Sequence, residues 1–112
     1  MSSAARRPVA VVTGAAGFLG RAFVRTLADR GMEVRGIDVR PGPSVTIGDV
    51  ARPGAWTALL DGADLVVHAA AIVSESGDPA QLWHVNVDGT RTVLEAAARA
   101  GVGRVLHLSS TV

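Results

Sequence analysis

The apolar run Val9-Ala10-Val11-Val12 passes without a break into Thr13-Gly14-Ala15-Ala16-Gly17-Phe18-Leu19-Gly20. A continuous β-branched run marks a strand buried on both faces, and helical spacing resumes directly after the glycines. Strand, glycine turn and helix packed into so few residues leave few architectures open, and the parallel α/β arrangement is the foremost. Glycines admit tight or positive-φ turns and let backbone N–H groups approach a ligand closely. The following helix aims the positive end of its dipole at the same point. The corner is therefore a candidate diphosphate site, with Gly14, Ala16, Gly17, Phe18, Leu19 and Gly20 as its contacts. The blander reading gives Gly14 and Gly17 to a tight turn and Gly20 to helix–strand packing. Gly14 and Gly17 are three apart, unlike the general Gly-x-Gly-x-x-Gly pattern. Placement after a strand and at the opening of a helix favours the phosphate reading. A Walker-type loop is excluded, because its lysine is missing: all eleven basic residues are arginine.

Strand and helix signals alternate along the rest of the chain. The expected strands are Val9–Thr13, Glu33–Asp38, Val45–Ile47, one within 63–68 containing Leu65-Val66-Val67, and 104–109. The expected helices run from Gly17 to Arg30, over a short stretch after Pro53 carrying Trp56, Leu59 and Leu60, and from Ala80 to Ala100. In the first, Leu19, Phe23 and Leu27 form the inward face and Arg21, Arg25 and Asp29 the outward one. In the last, the inward stripe is Leu82, Asn86, Gly89, Val93 and Ala97, with Gly89 allowing close approach to the sheet. Gly31 and Gly101 are the expected stops. This pattern predicts a doubly wound parallel sheet in the order 3-2-1-4-5, with right-handed crossovers and helices on both faces. The ligand crevice then lies at the carboxyl ends of strands 1 and 4, where the order reverses.

With 112 residues the chain is a single domain, residues 1–112, and 48% hydrophobic composition suits a packed α/β core rather than a disordered chain. The net charge of +1 is spread over scattered arginines, with no basic stripe interleaved with aromatics, so no nucleic-acid partner is expected. No apolar run approaches a membrane span. Arg6-Arg7 before an apolar stretch imitates an export signal, but Thr13 and the glycines interrupt it. There is no cysteine, which excludes a disulfide frame, thiolate metal sites and a cysteine nucleophile, and suits a reducing cytoplasm. His68, His84 and His107 lack metal-ligand spacing and are assigned no catalytic role.

Several further residues are candidates for the crevice. Asp38 ends the second strand 18 residues after Gly20, where a carboxylate accepts hydrogen bonds from ribose hydroxyls and repels a 2′-phosphate. That favours NAD over NADP, although Arg40, two residues on, is placed to hold a 2′-phosphate. Asp49 is either an acceptor for an adenine amino group, with Val50 on the ring, or a turn residue. Asn86 is a polar residue on an apolar stripe and either ties the helix to a strand or orients a water. Ser109-Ser110-Thr111 places a hydroxyl at the end of strand 5.

Together these residues resemble the extended short-chain dehydrogenase/reductase family, the NAD-dependent epimerases/dehydratases. Thr13-Gly14-Ala15-Ala16-Gly17-Phe18-Leu19-Gly20 resembles its Thr-Gly-x-x-Gly-x-x-Gly signature. His68-Ala69-Ala70-Ala71 is similar to the segment after strand 4 that lies along the cofactor, and Asn86-Val87-Asp88-Gly89-Thr90 resembles its Asn-Val-x-Gly-Thr helix. Leu108-Ser109-Ser110 resembles the strand-5 motif that supplies the catalytic hydroxyl, with Ser110 the match. The resemblance implies a Rossmann-like fold and hydride transfer between NAD and a secondary alcohol or ketone, commonly on a nucleotide sugar. Ala71-Ile72-Val73-Ser74 also resembles the 3β-hydroxysteroid dehydrogenase-like branch. The family's proton-transfer pair is a Tyr and a Lys four residues later, and this chain has neither residue type. It is expected to be the N-terminal, cofactor-holding portion of such an enzyme, binding NAD but incomplete as a catalyst. On this expectation the C-terminal strands and substrate region lie outside the chain, and the strand-5 edge is left open to self-association. A non-catalytic NAD-binding module and, more remotely, a methyl-donor-binding α/β domain are the other readings.

Overall fold

The β-branched runs become five parallel strands: β1 (Val9–Thr13), β2 (Glu33–Asp38), β3 (Val45–Ile47), β4 (Leu65–His68) and β5 (Arg104–His107). The computed structural model describes residues 6–70 and 78–108. The sheet order is β3-β2-β1-β4-β5, as the sequence predicts, and every pairing is parallel. The register sets Thr13 beside Ile37 on one side and His68 on the other, and His68 in turn beside His107. The ends of the three inner strands therefore meet at one level, where the strand order reverses.

Helix α1 (Phe18–Asp29) links β1 to β2. A 3-10 helix, Ala55–Leu60, links β3 to β4. Between β4 and β5 run α2 (Pro79–Trp83), a π turn (His84–Asp88) and α3 (Gly89–Ala100). Alternation along β1 feeds two cores. Val9 and Val11 join Ile37, Val50, Trp56, Leu60, Val66, Val93 and Ala97 beneath α3 and the 3-10 helix. Val12 joins Ala15 and Val67 on the opposite face, covered by Phe23, Val24 and Leu27 of α1. The amino end of β1 is pinned as well. Asp64 accepts the Val9 N–H at 2.8 Å, and that bond, with the Arg6 guanidinium nearby, holds its carboxyl below the usual range.

Five details depart from the sequence reading. The segment after Pro53 is a 3-10 helix that begins at Ala55, with Trp56 and Leu60 buried and the Trp56 indole N–H donating to the Arg52 carbonyl at 2.9 Å. The helix expected over 80–100 starts at Pro79, capped by the Asp78 carboxylate, and is interrupted by the π turn. Gly89 is buried against Val50 and Ala51, not against the sheet, and a Cβ there would make only ordinary contacts. Leu19 belongs to the inward face by period yet is 55% exposed, outside the cluster that Phe23, Val24 and Leu27 cover. Strand β5 ends at His107, and Ser109 lies outside the described residues.

Candidate functional site

Two chain corners meet where β1 and β4 end. Gly14 turns the chain with φ +67°, a conformation that side chains rarely adopt. A Cβ there would also stand 2.8 Å from the Ala69 carbonyl group and from Ala70 Cα, so the two corners pack backbone to backbone. The Gly17 N–H donates to the Gly14 carbonyl at 3.0 Å, and the Arg21 N–H donates to Gly17 O at 2.9 Å as α1 begins. At Gly20 a Cβ would fall on the Gly14 carbonyl oxygen, so a side chain at this position would push α1 off the turn. Gly17 caps α1 without a side-chain hydrogen bond, and no acid stands in the first turn. The leading amides of α1 therefore offer an uncancelled positive terminus at this corner.

Asp38 ends β2 beside this loop and is 8% exposed. One carboxylate oxygen accepts the Ala16 N–H at 2.9 Å and the other accepts the Arg40 N–H at 3.0 Å. The Arg40 guanidinium stands 3.8 Å from the same carboxylate, and its far end lies near Gly17. The acid and the glycine loop, distant in sequence, thus form one unit. Asp49 instead accepts the Ala51 N–H at 3.0 Å and pairs loosely with Arg52, the geometry of a turn residue. Val50 is buried in the core with Trp56. Phe18 is 82% exposed at the head of α1. Asn86 lies in the π turn, and its carbonyl accepts the Thr90 hydroxyl at 2.7 Å. Ala71 and Ser110 fall outside the described residues.

Sequence reasoning missed the polar cluster beneath the corner. Thr13 Oγ1 accepts the N–H groups of Ala69 and Ala70 at 3.0 and 3.1 Å and lies 2.7 Å from His68 Nδ1. His68 Nε2 lies 3.1 Å from Thr90 Oγ1. The imidazole is 2% exposed, and its burial, with the His107 ring stacked at 5.4 Å, pushes its pKa down to about 4. The signal was a hydroxyl and an imidazole ending adjacent strands. Their adjacency emerges only from the register. Among the described residues no cluster of three potential metal ligands occurs, and no helix is long and apolar enough to cross a membrane.

The sequence profile of the NAD dependent epimerase/dehydratase family matches residues 10–112. The chain belongs to this family. A 3 beta-hydroxysteroid dehydrogenase/Delta 5-->4-isomerase of Mycobacterium tuberculosis is 38% identical over 114 aligned positions, which cover 89% of this chain and 31% of that protein. Among solved structures, a short-chain dehydrogenase/reductase superfamily protein from Agrobacterium tumefaciens with bound NAD superposes with a TM-score of 0.80 at 38% identity, covering 91% of this chain and 32% of that one. MoeE5 in complex with UDP-glucose and NAD also gives 0.80, at 32% identity, covering 91% and 36%. The chain thus spans about a third of the length of the epimerase/dehydratase relatives it matches. The five-stranded order seen here is that of the matching N-terminal part of those structures.

Proposed function

We propose that this chain holds the dinucleotide of an NAD-dependent oxidoreductase of the epimerase/dehydratase type. The observation that carries the reading is the bond from the Ala16 N–H to Asp38 at 2.9 Å. It places the candidate ribose acceptor against the candidate phosphate loop. In this reading Gly14, Ala16, Gly17, Phe18, Leu19 and Gly20 surround the diphosphate with backbone amides, and the dipole of α1 offsets its charge. Each Asp38 oxygen has one amide partner and a second lone-pair direction left for a ribose hydroxyl. The same buried carboxylate opposes a 2′-phosphate, so NAD is preferred over NADP despite Arg40. Ala69 and Ala70 face Gly14 across the crevice, and the family resemblance adds Ala71 and Asn86 as cofactor contacts. Asp49 and Val50 contribute at most an edge contact to the adenine, since one is engaged in a turn and the other in the core. When bound, the nicotinamide supplies or accepts a hydride at a secondary alcohol or ketone.

Ser110 is the catalytic hydroxyl by family resemblance. Its proton-transfer partners, a Tyr and a Lys, belong to no part of this sequence. The 112-residue chain is therefore expected to bind NAD weakly and to show no turnover. Two substrate classes are carried by relatives: nucleotide sugars, named with MoeE5, and 3β-hydroxysteroids, named with the mycobacterial relative at higher identity. The identity favours a sterol-type alcohol for the whole protein, with a nucleotide sugar as the second reading. Calorimetric titration of NAD and NADP against wild type and Asp38→Ala tests the site. Loss of about tenfold in NAD affinity, with NADP affinity changed less, is expected for removal of a charged hydrogen-bonding partner. Equal NAD affinity of mutant and wild type would remove Asp38 from the ribose role.

A further inference from the structure

Hydrogen-bond valence fixes the direction of every proton in the cluster under the corner. A threonine hydroxyl has one proton to donate and two lone pairs to accept with. The Ala69 and Ala70 amides occupy both lone pairs of Thr13 Oγ1. Its own proton must therefore go to His68 Nδ1, 2.7 Å away. That nitrogen is then an acceptor, so a neutral ring carries its proton on Nε2 and donates to Thr90 Oγ1 at 3.1 Å. Thr90 in turn donates to the Asn86 carbonyl at 2.7 Å. Each member has one role, and donation runs one way from the β4 corner to the π turn. A proton on Nδ1 would confront Thr13 with three donors and two lone pairs. The groups facing the ring bear this out: neutral Thr13 from β1, neutral Thr90 from α3, and His107 stacked from β5, with no carboxylate among the described residues paired to the ring.

We propose that His68 is a positioning residue of the cofactor corner: as the neutral Nε2–H tautomer between Thr13 and Thr90, it fixes the Ala69–Ala70 backbone against Gly14 and ties it to the turn carrying Asn86. Without the Nδ1 acceptor, the Thr13 hydroxyl turns elsewhere and releases the Ala70 amide, while the Ala69 N–H keeps the Thr13 carbonyl at 3.3 Å. Those residues pack at van der Waals limit on Gly14, so their displacement passes directly into the glycine turn. The link to affinity rests on the dinucleotide reading above. The tautomer and the coupling of the two corners do not.

Two measurements separate these claims. Two-bond 1H–15N correlation of histidine-labelled protein is expected to show His68 with Nδ1 unprotonated and Nε2 protonated, unchanged down to about pH 5. An Nδ1–H tautomer, or an imidazolium at pH 6, would overturn the proposal whether or not NAD binds. His68→Asn keeps an acceptor where Nδ1 stands, whereas His68→Gln keeps a donor where Nε2 stands. Each loses one of the two hydrogen bonds, so a merely structural role predicts parallel losses of affinity. The positioning role predicts that His68→Gln and His68→Phe weaken NAD about tenfold while His68→Asn stays within about threefold. It also predicts that the Ala69, Ala70 and Gly14 amide resonances shift in Gln and Phe but hold in Asn. Amide shifts alike in Asn and Gln would sink the idea. If wild type binds no NAD, the dinucleotide reading falls, and the tautomer with the amide shifts still decides for or against His68.

Discussion

His68 and His107 stand side by side in the sheet, each ending a parallel strand, their rings 5.4 Å apart. One is buried and held by two threonines. The other is exposed, on a strand exposed at all four positions. Strand β1 repeats the contrast: Val9–Thr13 is buried throughout, whereas Val105 and Leu106 of β5 face solvent. The residue types hardly differ. What differs is the number of neighbours: β1 has a strand on each side and a core on each face, while among the described residues β5 pairs only with β4. Burial in this fold is conferred by position in the sheet, and the buried polar pair of Thr13 and His68 lies where β1 and β4 end.

The largest effect is expected where the buried region is most tightly closed. Gly20→Ala sets a methyl group against the Gly14 carbonyl and should cost at least about 3 kcal/mol and abolish NAD binding. Denaturant unfolding with NAD titration checks both, and a stable mutant that binds normally would show the corner to be looser than described. Acid comes next. The His68 pKa is about 4 in the folded chain against 6.5 unfolded, so the unfolded state binds more protons between those values. The contribution of the neutral ring is complete above pH 6.5 and is lost as pH falls through about 4. The total is up to about 3 kcal/mol. Unfolding curves across that range should lose most of this slope in His68→Asn, and an unchanged slope would assign it to other groups. Core truncation sharpens the contrast between strands. Val11→Ala should cost about 2 kcal/mol, and Val105→Ala within about 0.5 kcal/mol. Similar costs at the two sites would mean β5 is covered in solution. Smallest in stability is Leu106→Lys, which should leave the melting temperature in place while suppressing concentration-dependent association seen by light scattering. Association that persists in the mutant would point to a surface other than the β5 edge.

Most of the fold was legible because its strands are β-branched runs bounded by glycine, proline or charge, and because alternating strands and helices admit one common sheet order. The glycine corner and Asp38 were legible for the same reason: each marks the end of a strand whose place in the sheet is fixed. Three things were not. Period places Leu19 on the inward face of α1 but says nothing of whether the core cluster reaches it. The π turn at His84–Asp88 needs one extra residue per turn, but Leu82, Asn86, Gly89, Val93 and Ala97 fit an uninterrupted α period equally well, so the pattern does not mark it. The roles of Thr13, His68 and Thr90 arise from contacts across 22 and 55 residues, which no local pattern carries. Asp49 shows the converse: its sequence allowed a ligand contact or a turn, and the Ala51 amide supports the turn.

Strand β1 finds its partner β4 only after 55 further residues, with Ala10 beside Leu65. Parallel pairing forbids a hairpin shortcut, so during synthesis one flank of β1 waits uncovered while β2, β3 and two crossovers are assembled. Its valines are then the most adhesive surface of the nascent chain. Arrival of β4 closes that flank and in the same step seats the imidazole against Thr13. The event that closes this flank is thereby the one that brings the two corners together, and a chain released before it would carry neither.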